Sequence, residues 1–118
     1  MYIIVNSELN LNRGKCAAQS AHIACIITDE LVRSGLEAIM NGENPSDAYL
    51  KYIKWFNSCT KIILKTSEDD LRKLILENPK KCRFFKDQIY ENDDRTYLTA
   101  IGFFPDVRNE LFDSYSLA

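Results

Sequence analysis

Four apolar residues, Tyr2-Ile3-Ile4-Val5, are followed by a polar turn from Asn6 to Asn12 and then by a long helical pattern. That order commits the chain to a fold beginning strand, turn, helix. The helix opens with Arg13-Gly14-Lys15-Cys16-Ala17-Ala18-Gln19-Ser20-Ala21-His22, and Ile23, Ile26, Ile27, Leu31 and Val32 continue its apolar spacing. Lys15, Gln19 and His22 are four and three residues apart, so they stack on one helical face. Ala17, Ala18, Ala21 and Ala24 are expected on the other side, where small residues would let the helix lie close to a sheet. A cation, an amide and an imidazole in line at a helix start make a plausible anion-binding or catalytic site, because the helix N-terminus adds free backbone donors and a positive dipole end. Each residue also has a plainer reading. Lys15 is ordinarily a solvated charge, Gln19 a surface helix former and His22 a structural histidine. Periodicity by itself leaves the two readings open.

The whole chain reads as strand, helix, helix, strand, helix, strand, strand, helix. The first helix is expected from Arg13 to about Gly35, with a break near its end left open. Gly42-Glu43-Asn44-Pro45 is a breaker, and Ser46 or Asp47 starts a second helix to about Phe56 with Ala48, Tyr52, Trp55 and Phe56 on one apolar face. Thr60–Lys65 is a second strand. Ser67 caps a helix from Glu68 to Glu77, with Asp70 at the capping-box position and Leu71, Leu74 and Ile75 inward. Cys82–Lys86 and Thr96–Ile101 are the last two strands, joined by the polar Glu91-Asn92-Asp93-Asp94. Phe104-Pro105-Asp106 opens a short helix with Val107, Leu111 and Phe112 inward. Strands separated by helices favour parallel pairing, and the short last loop favours an antiparallel pair. The expected fold class is α/β: a single domain over residues 1–118, three-layer α/β/α, with a four-stranded mixed β-sheet. In such sheets ligands gather beyond the carboxyl ends of parallel strands, which brings Lys15, after strand one, toward Asp87, after strand three.

Composition narrows the class. A chain of 118 residues, 46% hydrophobic and 27% charged, suits one ordinary globular domain. No apolar run approaches the roughly 20 residues that span a bilayer, and Tyr2–Val5 is too short for a signal-peptide core, so a cytoplasmic protein is expected. Cys16, Cys25, Cys59 and Cys82 show no CxxC spacing, and His22 is the only histidine. A metal site is therefore not expected, and four reduced thiols are.

The run Gly14-Lys15-x-Ala17-Ala18-Gln19-x-Ala21-His22 resembles the signature of the type II peptidyl-tRNA hydrolases, the archaeal and eukaryotic class. Trp55, then Lys61-Ile62-Ile63-Leu64-Lys65 and Ser67-Glu68-Asp69-Asp70-Leu71, are similar to the family's tryptophan, second strand and helix start. Phe84-Phe85-Lys86-Asp87 is similar to the end of its third strand, and Ala100-Ile101-Gly102-Phe103-Phe104-Pro105 to its closing motif. The resemblance covers essentially the whole chain in order. It implies hydrolysis of the ester joining peptide to tRNA, without metal or cofactor. By resemblance Lys15 stabilises an oxyanion or a phosphate, Asp87 orients or deprotonates the attacking water, and Arg13, Gln19 and His22 hold substrate. The sequence departs from the family after Asp87, where Gln88-Ile89-Tyr90-Glu91 replaces the usual alanine, glycine and threonine-glutamine pair. The segment to Gly102 is about two residues short, so the family's functional threonine falls on Thr99 or Thr96. Thr99 is favoured because it should share a strand face with Tyr97 and Ile101.

Charge points both ways. An RNA-binding surface is expected to be basic, yet the formal net charge is −2. Basic residues cluster at Arg13 and Lys15, at Lys51 and Lys54, and at Lys80, Lys81, Arg83 and Lys86, while Glu91–Asp94 forms an acidic loop. A non-catalytic RNA- or protein-binding adaptor on the same fold is the alternative function. Phe103 and Phe104 are candidates for an apolar patch or a homodimer contact, with core packing the commoner fate.

Overall fold

A computed structural model describes residues 1–106 and 110–118. Its elements are β1 (Tyr2–Asn6), α1 (Arg13–Met40), α2 (Asp47–Phe56), β2 (Ile62–Thr66), α3 (Glu68–Glu77), β3 (Cys82–Asp87), β4 (Tyr97–Phe103), a 3-10 turn (Glu110–Phe112) and β5 (Ser116–Leu117). The strands form one sheet in the order β3-β4-β1-β2-β5. β1 and β2 are parallel, and β4 runs antiparallel to both β1 and β3. The sheet is therefore mixed, as expected, but it has five strands rather than four. β5 pairs antiparallel with β2 and covers its outer edge, with the Ala118 amide bonded to the Ile63 carbonyl at 3.0 Å. A two-residue strand, exposed on both residues, leaves no alternation in the sequence to detect it by.

Helices cover both faces. Ile4, Leu64, Ile101 and Phe103 pack with Leu71 and Leu74 of α3, whereas Ile3, Val5 and Ala100 pack with Ile23, Ile27 and Leu31 of α1 and Tyr52 of α2. The period-2 alternation of β1 thus feeds two separate cores.

The helix ends follow their caps. Asn12 accepts from the Lys15 amide, Ser46 from Tyr49 and Ser67 from Asp70. The chain leaves α1 through Gly42 at φ 71°. α1 does not end or break at Gly35 but continues to Met40. A Cβ at position 35 would run into the Tyr49 ring, so this glycine serves the close approach of α2 rather than a helix end.

Several inward assignments change. Ala17, Ala18 and Ala21 are exposed, and the sheet-facing residues of the first turns are Gln19, Ser20 and Ile23. Close approach of α1 to the sheet comes from the strand side instead. A Cβ at Gly102 would stand 2.6 Å from Ile23 Cγ2 and 2.9 Å from Ile27 Cδ1. Phe56 and Leu111 are exposed rather than inward, while Phe112 is buried and stacks on Tyr2. The closing helix is a single 3-10 turn, and Val107 lies outside the described residues. Phe103 is buried, and Phe104 is half-buried beneath the Arg83 guanidinium.

Candidate active site

β1 ends in Asn6, a polar residue only 2% exposed. Its amide donates to the Leu98 carbonyl at 2.9 Å and to Glu68 Oε1 at 3.2 Å, and its oxygen accepts from the Glu8 amide at 2.9 Å. The side chain fastens the exit of β1 to the start of β4 and of α3, so the turn leading to α1 leaves from a fixed point. Nothing in the spacing singled out Asn6. The usable signal is a polar amide closing an otherwise apolar strand.

The stripe Lys15, Gln19, His22 runs down β3 in the opposite sense to the strand. Lys15 Nζ lies 3.4 Å from the Ile89 carbonyl, Gln19 meets Asp87, and the His22 ring sits 4.7 Å from that of Phe85. Further along α1, Glu30 binds Arg83 through two bonds of 2.7 Å each. The helical stacking read from residue spacing is thus matched, residue for residue, by an edge strand and its exit loop.

Gln19 is the hinge of the group and is 5% exposed. Its amide nitrogen donates to Asp87 Oδ2 at 2.9 Å, and its oxygen accepts from the Thr99 hydroxyl at 2.6 Å. Thr99 is fully buried, and its hydroxyl also lies 3.2 Å from the Phe85 carbonyl. With both acceptors in reach, the hydroxyl serves as donor, which turns the Gln19 NH2 toward the carboxylate. Asp87 Oδ1 accepts from the Gln88 amide at 2.9 Å. Each carboxylate oxygen keeps a second lone pair for a water or a substrate proton.

Thr99 reaches this position through a bulge. Phe85 pairs with Ala100 and Lys86 with Leu98, so one extra residue of β4, Thr99, stands against β3 between them. Ala100 faces α1 and Ile101 faces α3, while Thr99 hydrogen-bonds to α1. Thr99 therefore does not share a face with Ile101, contrary to simple alternation. Thr96 is exposed and precedes β4.

Two expected members stand apart. Among the described residues no ion pair joins Lys15 to Asp87, and no hydrogen bond or ion pair ties Arg13 or His22 to the Thr99–Gln19–Asp87 chain. Arg13 and His22 are exposed on α1. Lys15 instead holds the first residues of the loop that leaves β3.

That loop is organised around Asp93. Arg95 donates to both Asp93 carboxylate oxygens at 3.0 Å, and the Tyr97 hydroxyl donates to Oδ2 at 2.6 Å. Arg95 first and Tyr97 second hold the Asp93 carboxyl well below the usual carboxylate range, and Asp93 pushes the Tyr97 phenol up. Part of the acidic run is thereby neutralised within the loop itself.

A cleft of about 520 Å³ lies at the far end of the sheet, lined by residues including Tyr2, Lys51 and Phe103, and none of the candidate residues lines it. Among the described residues there is no cluster of three or more histidine, cysteine or carboxylate side chains suited to a metal, and no helix is long and apolar enough to cross a membrane.

The arrangement offers an oriented carboxylate, a neighbouring ammonium and a buried amide-hydroxyl pair, which is equipment for activating water beside a carbonyl that gains charge. No curated protein matches the chain. A family model described as peptidyl-tRNA hydrolase PTH2 matches residues 1–114. With nearly its whole length matched, and its strand–helix order already in place, the chain belongs to the peptidyl-tRNA hydrolase PTH2 family.

Proposed function

We propose that this chain hydrolyses the ester between peptide and tRNA, releasing both, and that it acts in the cytoplasm. The observation that carries the proposal is the Thr99–Gln19–Asp87 hydrogen-bonded chain beside Lys15 at the start of α1. Asp87 orients the attacking water and accepts its proton. Gln19, set by Thr99, fixes the carboxylate. Lys15 faces the negative charge that develops on the carbonyl oxygen, or a neighbouring phosphate. Arg13 and His22, exposed on the same helix, are left for substrate contact.

A non-catalytic adaptor is the second reading, favoured by the loop after Asp87 in which Gln88-Ile89-Tyr90-Glu91 departs from the family pattern. The two separate on one assay of the wild-type protein against several N-acetylaminoacyl-tRNAs carrying a labelled acyl group. Multiple turnovers of label release are expected. Saturable tRNA binding with no release above the spontaneous rate would favour the adaptor.

A further inference from the structure

Tyr90 in the β3–β4 loop and Tyr97 at the start of β4 take no part in the Thr99–Gln19–Asp87 chain, yet they lie next to it. Tyr97 is the ladder partner of Asp87 itself. Tyr90 directly follows Ile89, whose carbonyl meets Lys15. The two rings pack edge to face, 5.3 Å apart at 84°. Tyr97 is fixed in turn by its bond to Asp93, and the Arg95 guanidinium lies 5.6 Å from its ring centre. Gln88 crosses the loop to the Asp94 carbonyl at 3.0 Å.

A core role does not explain this construction, because Tyr90 remains 39% exposed and belongs to neither core. Side-chain hydrogen bonds brace a short irregular loop whose Tyr90 ring packs on Tyr97, the ladder partner of Asp87. An aromatic ring kept in place and open to solvent is what unpaired bases stack on, and such stacking tolerates any base. On the hydrolase reading, on which this inference rests, the ester hangs from the ribose of a single-stranded terminal nucleoside. Its base must then lie within one nucleoside of the bond to be cut.

We propose that Tyr90, buttressed by Tyr97 and Asp93, stacks on the terminal nucleobase of the tRNA acceptor end and so holds that end of the substrate at the site. Tyr90 is thus a substrate-binding residue that senses the presence of a base rather than its identity. The loop that departs from the family pattern supplies the platform.

The test compares N-acetylaminoacyl-tRNA with a matched substrate lacking only the terminal base. On the intact substrate Tyr90→Ala is expected to raise KM about 10-fold, with kcat within about twofold of wild type. Tyr90→Phe is expected to restore KM, and on the base-less substrate wild type and Tyr90→Ala should coincide. An unchanged KM on intact substrate, or an equal rise on both, would overturn the platform while leaving the hydrolase reading in place. Titration of the trinucleotide CpCpA, followed by NMR of the Tyr90 ring protons, reads the same contact without catalysis. Upfield shifts in a wild type that hydrolyses nothing would keep the platform and remove the hydrolase. Neither shifts nor hydrolysis would overturn both.

Discussion

Gln19 shows how much one buried side chain can hold. Truncation to Ala would leave the fully buried Thr99 hydroxyl only its longer, 3.2 Å bond to the Phe85 carbonyl and would remove the amide that holds Asp87 Oδ2. Gln19→Ala is expected to cost about 1–3 kcal/mol in denaturant unfolding and to lower kcat as well. Thr99→Val keeps the volume and removes the donor, so it should cost about 1 kcal/mol. The same change at exposed Thr96 should stay within about 0.5 kcal/mol. The different surroundings of these two threonines, one buried and one exposed, were only half legible in the sequence. Strand alternation named Thr99 for a reason the fold contradicts, because a bulge reverses which neighbours share its face, and nothing in the residue types marks a one-residue bulge. Cysteine chemistry is also decided residue by residue. Burial pushes the Cys82 thiol up to about 12, whereas Cys25 is exposed. Since the thiolate is the reactive form, Cys82 should be the slowest of the four to react with a neutral thiol reagent at pH 8, and Cys25 should be far ahead of it.

At the scale of elements, helix starts were easy to read and close approaches were not. Asn12, Ser46 and Ser67 cap their helices through local bonds, so local sequence was enough. Gly35 and Gly102 are glycine because of residues far away in the chain, Tyr49 in one case and Ile23 with Ile27 in the other. Gly102→Ala should therefore destabilise the protein by about 1–3 kcal/mol in thermal or denaturant melts, because Ile23 and Ile27 are fully buried and cannot step aside. The β3–β4 loop carries a pH dependence with a definite sign. Arg95 and Tyr97 depress the folded-state pKa of Asp93. Its contribution is thus complete above the ordinary carboxylate pKa near 4 and is lost as the pH falls through the folded value. Comparing wild type with Asp93→Asn by thermal melts, a gap present at pH 6 should close progressively as the pH is lowered below about 4.

At the scale of the whole molecule, layers and mixed pairing could be read from alternating strand and helix patterns, but strand order could not. β2 and β3 flank one helix yet stand apart in the sheet, with β1 and β4 between them. That arrangement rests on long-range pairing that no local pattern reports. Charge has a similar lesson. The basic strip counted along the chain is partly spent on internal pairs, Arg83 with Glu30 and Lys51 with Asp47 and Asp106. Arg13 and Lys15 remain exposed at the site end of α1. tRNA affinity should therefore fall with salt, and Arg13→Ala should reduce the slope of log affinity against log salt by about 1.

The hydrolase reading meets its most direct test in single-turnover release of labelled N-acetylaminoacyl group from saturating wild type, Asp87→Ala and Lys15→Ala, with circular dichroism and melting of each protein recorded alongside. Folded Asp87→Ala is expected to lose ~10²–10⁴ in rate and folded Lys15→Ala ~10²–10³. Release at the wild-type rate by a folded Asp87→Ala protein would contradict the assignment of this carboxylate, and with it the mechanism built on Thr99, Gln19 and Asp87.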